Sequence, residues 1–173
     1  MNEPVVVDTN VIRVANRQHH GVSDACIGNC VQHLSAIMAQ GHFVVDQGWL
    51  IVGEYMGKGE PNKGKAVGDV FLKWVLQNLS NAQLCTQVPI TEISADNYVE
   101  FPSHPDLANF DAPDRKFVAV ANAHPDKPRI LQAADSKWIN WHTALKTFGI
   151  HVDFVCRADL NAFYAKKFGN APA

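Results

Sequence analysis

Four carboxylates stand at comparable places along this chain. Asp8 directly follows the valine run 5–7, Glu54 lies inside the apolar stretch 51–56, Asp114 starts a helical pattern, and Asp135 comes just after the apolar run 129–133. Taken singly, each also has a structural reading as a helix cap or a paired charge, and Asp8 is well placed to cap the helix that follows it. Asp114 is harder to read that way. Phe117, Val118 and Ala121 lie three, four and seven residues beyond it, so its side chain shares their apolar face, where a carboxylate is costly unless compensated. Glu54 poses the same problem among Ile51, Val52, Tyr55 and Met56. Like charges gathered in a partly desolvated crevice are relieved by protonation or by a multivalent cation. Oxygen donors without His or Cys favour Mg²⁺ or Mn²⁺ over Zn²⁺. Such a site suits a substrate with its own anionic oxygens, and phosphodiesters are the natural candidate, hydrolysed by metal-activated water.

These acids need a frame that brings them together. The unalternating run at 5–7 reads as a strand buried on both faces, with Asp8 at the edge where ligands bind in parallel sheets. Residues 10–16 read as a short helix, 17–22 as a loop, and Ser23 as the N-cap of an amphipathic helix ending before Gly41. A second strand at 43–45 leads to Asp46, the expected cap of a mostly buried helix that carries Trp49 to Met56. The Gly- and Lys-rich stretch 57–68 reads as a loop or mobile excursion, followed by a helix over 69–79 and a strand within 84–90, where Pro89 points to an edge. Residues 98–109 read as a connection. Asp111 is placed as the N-cap of the next helix, accepting from the N–H of Asp114, with Pro113 in its first turn. A strand over 129–133, a helix over 136–148 closed by Gly149, a strand over 150–155 and a helix over 158–168 complete the chain. Strand and helix alternate with no hairpin dipeptide, which predicts an α/β sandwich with a mainly parallel sheet.

With 173 residues, 47% of them hydrophobic, the chain can bury about 70% of its unfolded surface as one domain without a staple. Its formal charge of -2 neither requires nor excludes a nucleic-acid partner. No apolar run is long enough to span a bilayer and no segment reads as a signal peptide, so a cytoplasmic location with reduced Cys26, Cys30, Cys85 and Cys156 is expected.

The segments VVVDTNVI, WLIVGEYMG, FDAPDRKFVAVANA and RILQAADSKW, in this order, resemble the successive acidic motifs of PIN-domain nucleases. The resemblance runs from Val5 to about Val155. It implies a PIN-like three-layer sandwich, with a five-stranded, mainly parallel sheet flanked by helices, over residues 1–173 as one domain with insertions near 17–29 and 57–69. It also implies Mg²⁺- or Mn²⁺-dependent cleavage of RNA to 5′-phosphate and 3′-hydroxyl ends, often by the toxin of a bacterial toxin–antitoxin pair whose partner is an antitoxin protein. Asp8, Glu54, Asp114 and Asp135 match the four metal-binding and catalytic acids. Thr9 and Asn10 match the residues that steady the first acid, and Ser136 matches the hydroxyl beside the last.

Other signals carry less. Cys26, Cys30 and His33 share one side of a helix near His19 and His20, a zinc arrangement without a Cys-x-x-Cys pair. Lys58, Lys63, Lys65 and Lys73 suit either a solvated loop or a rim that holds phosphates, whereas Arg115 and Lys116 follow Asp114 and are the better candidates for substrate contact. Trp138 and Trp141 read as core or interface before they read as base-stacking platforms. A non-catalytic module of the same fold that engages RNA or a partner protein is the alternative function. A receiver-like signalling domain fits less well, because VVVDTN offers a solitary acid. The apolar faces of 24–40 and 69–79 exceed what one sheet needs, which points to a homodimer.

Overall fold

A computed structural model describes residues 3–170. The β-branched run becomes β1 (Pro4–Val7), and its place at the centre of a five-stranded sheet explains why no residue in it alternates toward solvent. The others are β2 (His42–Asp46), β3 (Cys85–Val88), β6 (Arg129–Gln132) and β7 (Val152–Phe154), arranged β3-β2-β1-β6-β7 with every neighbour parallel. Pro89 follows the edge strand β3, where a missing N–H costs little. The chain winds outward from β1 to β3 and then returns to the other side of β1 at β6. Strand order therefore reverses between β1 and β6, and the crevice beyond their carboxyl ends is the expected ligand position.

Among the described residues seven helices flank this sheet: α1 (Thr9–Ala15), α2 (Asp24–Gln40), α3 (Leu50–Lys58), α4 (Val67–Asn78), α5 (Arg115–Ala123), α6 (His142–Thr147) and α7 (Arg157–Phe168). The result is a three-layer α/β sandwich. Ser23 caps α2 by accepting from Cys26 N, an interaction worth about 1 kcal/mol, and Asp46 accepts from Leu50 N and Ile51 N to start α3. Helices α1, α2 and α4 pack on one another, while α5 lies across β1, β2 and β6. Much of the apolar face of α2 and of α4 is thus met inside the chain, while Val70 of α4 stays exposed.

Several expectations need correction. Between β3 and α5 the chain forms a small antiparallel hairpin, β4 (Glu92–Ser94) and β5 (Asn97–Tyr98), although no glycine or hairpin dipeptide marks it. Asp96 supplies the left-handed turn residue at φ 58°, a conformation that Asp tolerates better than most. The expected helix over 136–148 is split into a 3₁₀ turn over Ser136–Asn140 followed by α6. In a 3₁₀ turn residues three apart eclipse, and this brings Trp138 and Trp141 to the same ring of Phe110, at centroid distances of 5.0 and 4.6 Å. Helix α3 is not mostly buried: Ile51, Val52 and Tyr55 face the core, while Gly53, Met56 and Lys58 are exposed.

The glycine-rich stretch is anchored and not an excursion. Buried Asp69 accepts from Glu60 N at 2.8 Å and from Asn16 Nδ2 at 3.0 Å, and a Cβ on Gly64 would overlap its carboxylate. The thiols are not all reduced, since Cys26 and Cys156 form a disulfide that joins the starts of α2 and α7. Cys30 and Cys85 remain free and buried, with Cys30 Sγ 3.8 Å from Cys156 Sγ. Cys26 and Cys30 therefore do meet a third ligand-type residue, but it is Cys156 and no histidine, and two of the three sulfurs are bonded to each other.

Candidate active site

Asp8 sits at the end of β1, where the strand hands over to α1. Its backbone N–H donates to Leu131 O of β6 at 2.9 Å, which ties it to the point of strand reversal. Its side chain caps α1 by accepting from Asn10 N at 2.8 Å, yet it is also a member of the acid group, so both readings hold. Only 2% of the residue is exposed. Burial first, then the charge of Asp114, raise its pKa well above the usual carboxylate value; the Asn10 N–H opposes them, and Glu54 and Asp135 add to the rise. Tyr55 lies beneath, buried, with its hydroxyl donating to Val7 O. The same burial and the charges of Asp8, Glu54 and Asp46 raise its pKa, so it stays a protonated donor.

Asp114 joins two acidic groups. With Asp8 and Glu54 it lines a cavity of about 150 Å³, to which Arg13 and Lys58 also contribute. With Asp111 and Asp135 it forms a partly buried trio whose carboxylate oxygens lie within 4.8 Å of one another. Burial pushes its pKa up to about 6, against the Trp138 indole N–H that donates to it at 3.2 Å; Asp135 and Glu54 raise it further and Lys116 lowers it. Asp135 accepts from Lys137 N at 3.0 Å, and Ser136 is buried beside it.

Asp111 departs from its expected part. It makes no side-chain cap: Asp114 N donates to the Asp111 backbone carbonyl, and a 3₁₀ turn over Ala112–Asp114 leads into α5. Its carboxylate instead accepts from Lys137 Nζ and turns toward Asp114 and Asp135, making it a fifth acid of the site. This contact raises the pKa of Lys137, chiefly through the hydrogen bond to Asp111.

The two cations after Asp114 are already engaged. Arg115 donates to Asn97 Oδ1 and Phe110 O and lies over the Phe101 ring, holding the β4–β5 hairpin to α5. Lys116 is buried, with Nζ 2.5 Å from Glu54 Oε2 and donating to Pro113 O. Both therefore have their charge engaged within the fold, and neither lines the acidic cavity. Of the four lysines weighed in the sequence, only Lys58 borders the acidic cavity. Thr9 Oγ1 and both side-chain amide atoms of Gln132 are buried without a hydrogen-bond partner among the described residues. Thr9 is one of the residues lining the acidic cavity, with its hydroxyl itself shielded from solvent.

Sequence reasoning missed three partners: the Trp138 indole on Asp114, Lys137 on Asp111 and Lys116 on Glu54. All three pairings cross between elements, and spacing along a single helix carries no trace of them. The donor set fits a hard divalent cation: carboxylate oxygens come from several elements, and burial first and then the charge of neighbouring acids favour the protonated form of Asp8 and Asp114. Comparison of the chain with family models, with curated proteins and with solved structures finds no match.

Proposed function

We propose that this protein is a divalent-metal-dependent ribonuclease of the PIN type. The observation that carries the reading is the meeting of Asp8, Glu54, Asp114 and Asp135 around the crevice between β1 and β6, with Asp8 and Asp114 held in an environment that disfavours their charge. Mg²⁺ or Mn²⁺ held by Asp8, Asp114 and Asp135, with Asp111 and Glu54 beside them, would supply Lewis acidity toward water and a phosphodiester. The chain's own residues keep that set in place. Asn10 N–H orients Asp8, the Trp138 indole orients Asp114, and Lys137 orients Asp111. Lys116 neutralises part of the negative charge and fixes Glu54. Among the described residues no histidine lines the acidic cavity.

A non-catalytic binding module is the second reading, and it gains from one observation: the Lys116 ammonium offsets part of the cluster's negative charge. The two separate in one experiment, in which a mixed RNA pool is incubated with wild type and Asp8→Asn in Mg²⁺, Mn²⁺ or chelator. The nuclease reading expects cleavage by wild type in metal alone. RNA binding with no cleavage under any condition would establish the module instead.

A further inference from the structure

The acidic cavity, at about 150 Å³, lies below the roughly 300–1,000 Å³ of sites that enclose a nucleotide-sized ligand. It can take a cation and a phosphoryl group, but a base must go elsewhere. A second concavity of about 550 Å³ opens beside it and shares Asn10 and Arg13 with it; Asp135 and Ser136 form the edge nearer the acids. The far side is built from the turn after α1 and from α7: Gln18, His19 and His20 on one, Phe163 and Lys167 on the other. The His19 ring stacks on Phe163 with centroids 6.0 Å apart and planes 29° apart, and it is partly exposed. Arg13 and Lys167 have no carboxylate partner within ion-pair distance among the described residues. A concave surface lined by two cations without a carboxylate partner and by a stacked aromatic pair has the chemistry of a single-stranded nucleic-acid track.

The walls of this groove are fixed in advance. Ser23 N and Oγ donate to the Asp159 carboxylate at 2.6 and 2.9 Å, and the Cys26–Cys156 disulfide ties α2 to α7 one turn further on. Gly21, at φ 85°, lets the turn fold back with its Cα side close to the Phe163 ring. We infer that this groove binds the unpaired RNA segment flanking the scissile phosphate, with a base against His19 and Phe163 and the backbone along Arg13 and Lys167. The inference rests on the ribonuclease reading for what lies next door, yet its own evidence is the groove.

A duplex hides its base faces, so the groove discriminates by strandedness. The test uses the full chain carrying Asp8→Asn, in Mg²⁺, with a fluorescent oligouridylate either single-stranded or annealed to its complement, read by anisotropy. The expected result is single-strand binding about tenfold or more tighter than duplex binding. Lys167→Glu should weaken it and lower the salt slope by about 0.7, and His19→Ala should weaken it about fivefold or more. Lys167 is exposed, so that variant folds even if His19→Ala does not. Equal affinity for duplex and single strand, or affinity indifferent to Lys167→Glu, overturns the inference. The melting shift of the wild type in Mn²⁺ reads the acidic site separately. An intact shift with indifferent RNA binding sinks the groove alone, and strand-selective binding with no Mn²⁺ shift upholds the groove while sinking the nuclease reading.

Discussion

Lys116 Nζ lies 2.5 Å from Glu54 Oε2, with the lysine side chain 8% exposed and the glutamate 26%. A helix-start lysine would ordinarily reach solvent, so this burial reflects the negative charge it meets. The pair gives the acidic cluster one internal counter-charge, and Asp114 feels it too. Removing the lysine leaves Glu54 facing Asp8 and Asp114 uncompensated. Lys116→Met should destabilise the protein in chelator by about 2 kcal/mol, below the range for a fully buried pair because Glu54 is partly solvated. Mn²⁺ should then restore more stability to the variant than to wild type. Equal melting shifts in Mn²⁺ would mean that Lys116 and the cation do not answer the same charge.

The pH dependence of stability follows from Asp114. Its pKa is raised from 3.8 to about 6, so between those values the folded state holds more proton than the unfolded state. Its contribution to stability is therefore greatest below 3.8, falls as pH rises through that window, and levels off above about 6. Asp8 acts in the same direction. In chelator, the melting temperature of wild type relative to Asp114→Asn should fall as pH goes from about 4 to about 7, by an amount on the order of 2 kcal/mol in stability. Saturating Mn²⁺ should remove the trend. A difference that stays flat with pH would show that Asp114 is not under this strain.

Asp111 separates a capping role from a site role. Its side chain caps nothing and pairs with Lys137 at a partly exposed position, so Asp111→Asn should change stability by less than about 1 kcal/mol. Its closeness to Asp114 and Asp135 predicts that the same variant loses a substantial part of the Mn²⁺ melting shift and of RNA cleavage. A variant that keeps the full Mn²⁺ response would return Asp111 to a purely structural part.

The disulfide is checked by counting thiols. Unfolded without reductant, the protein should expose two of its four cysteines to alkylation, and four after reduction. A crosslink closing a 130-residue separation constrains the unfolded chain strongly, so reduction should lower stability by roughly 2–5 kcal/mol. Four reactive thiols without reductant would contradict the pairing.

The frame was legible where a local pattern suffices. A valine run with no alternation, Ser23 before an amphipathic stretch, and Asp46 before a second one are signals that neighbouring residues decide, and β1, α2 and α3 formed accordingly. The β4–β5 hairpin was hidden because Asp96, with no glycine beside it, takes the left-handed position. Cys26 and Cys156 stand 130 residues apart, a distance at which spacing says nothing of pairing. Asp111 and Asp114 share the local signature of a helix start, so only the position of Lys137, brought from beyond β6, tells the cluster member from a cap. The acids were findable because a carboxylate on an apolar face is conspicuous. Their partners Trp138 and Lys116 were not, since an indole or a lysine among apolar residues reads as ordinary packing or ordinary solvent exposure.

The most direct measurement is end-group analysis of RNA incubated with wild type and with Asp114→Asn, in Mn²⁺ and in chelator, each protein first shown to be folded by its melting curve. Hydrolysis by water at the acidic site predicts fragments with 5′-phosphate and 3′-hydroxyl ends from wild type in Mn²⁺, and intact RNA in the other three samples. Fragments that persist in chelator or with Asp114→Asn, or that carry 5′-hydroxyl and 2′,3′-cyclic phosphate ends, would contradict it.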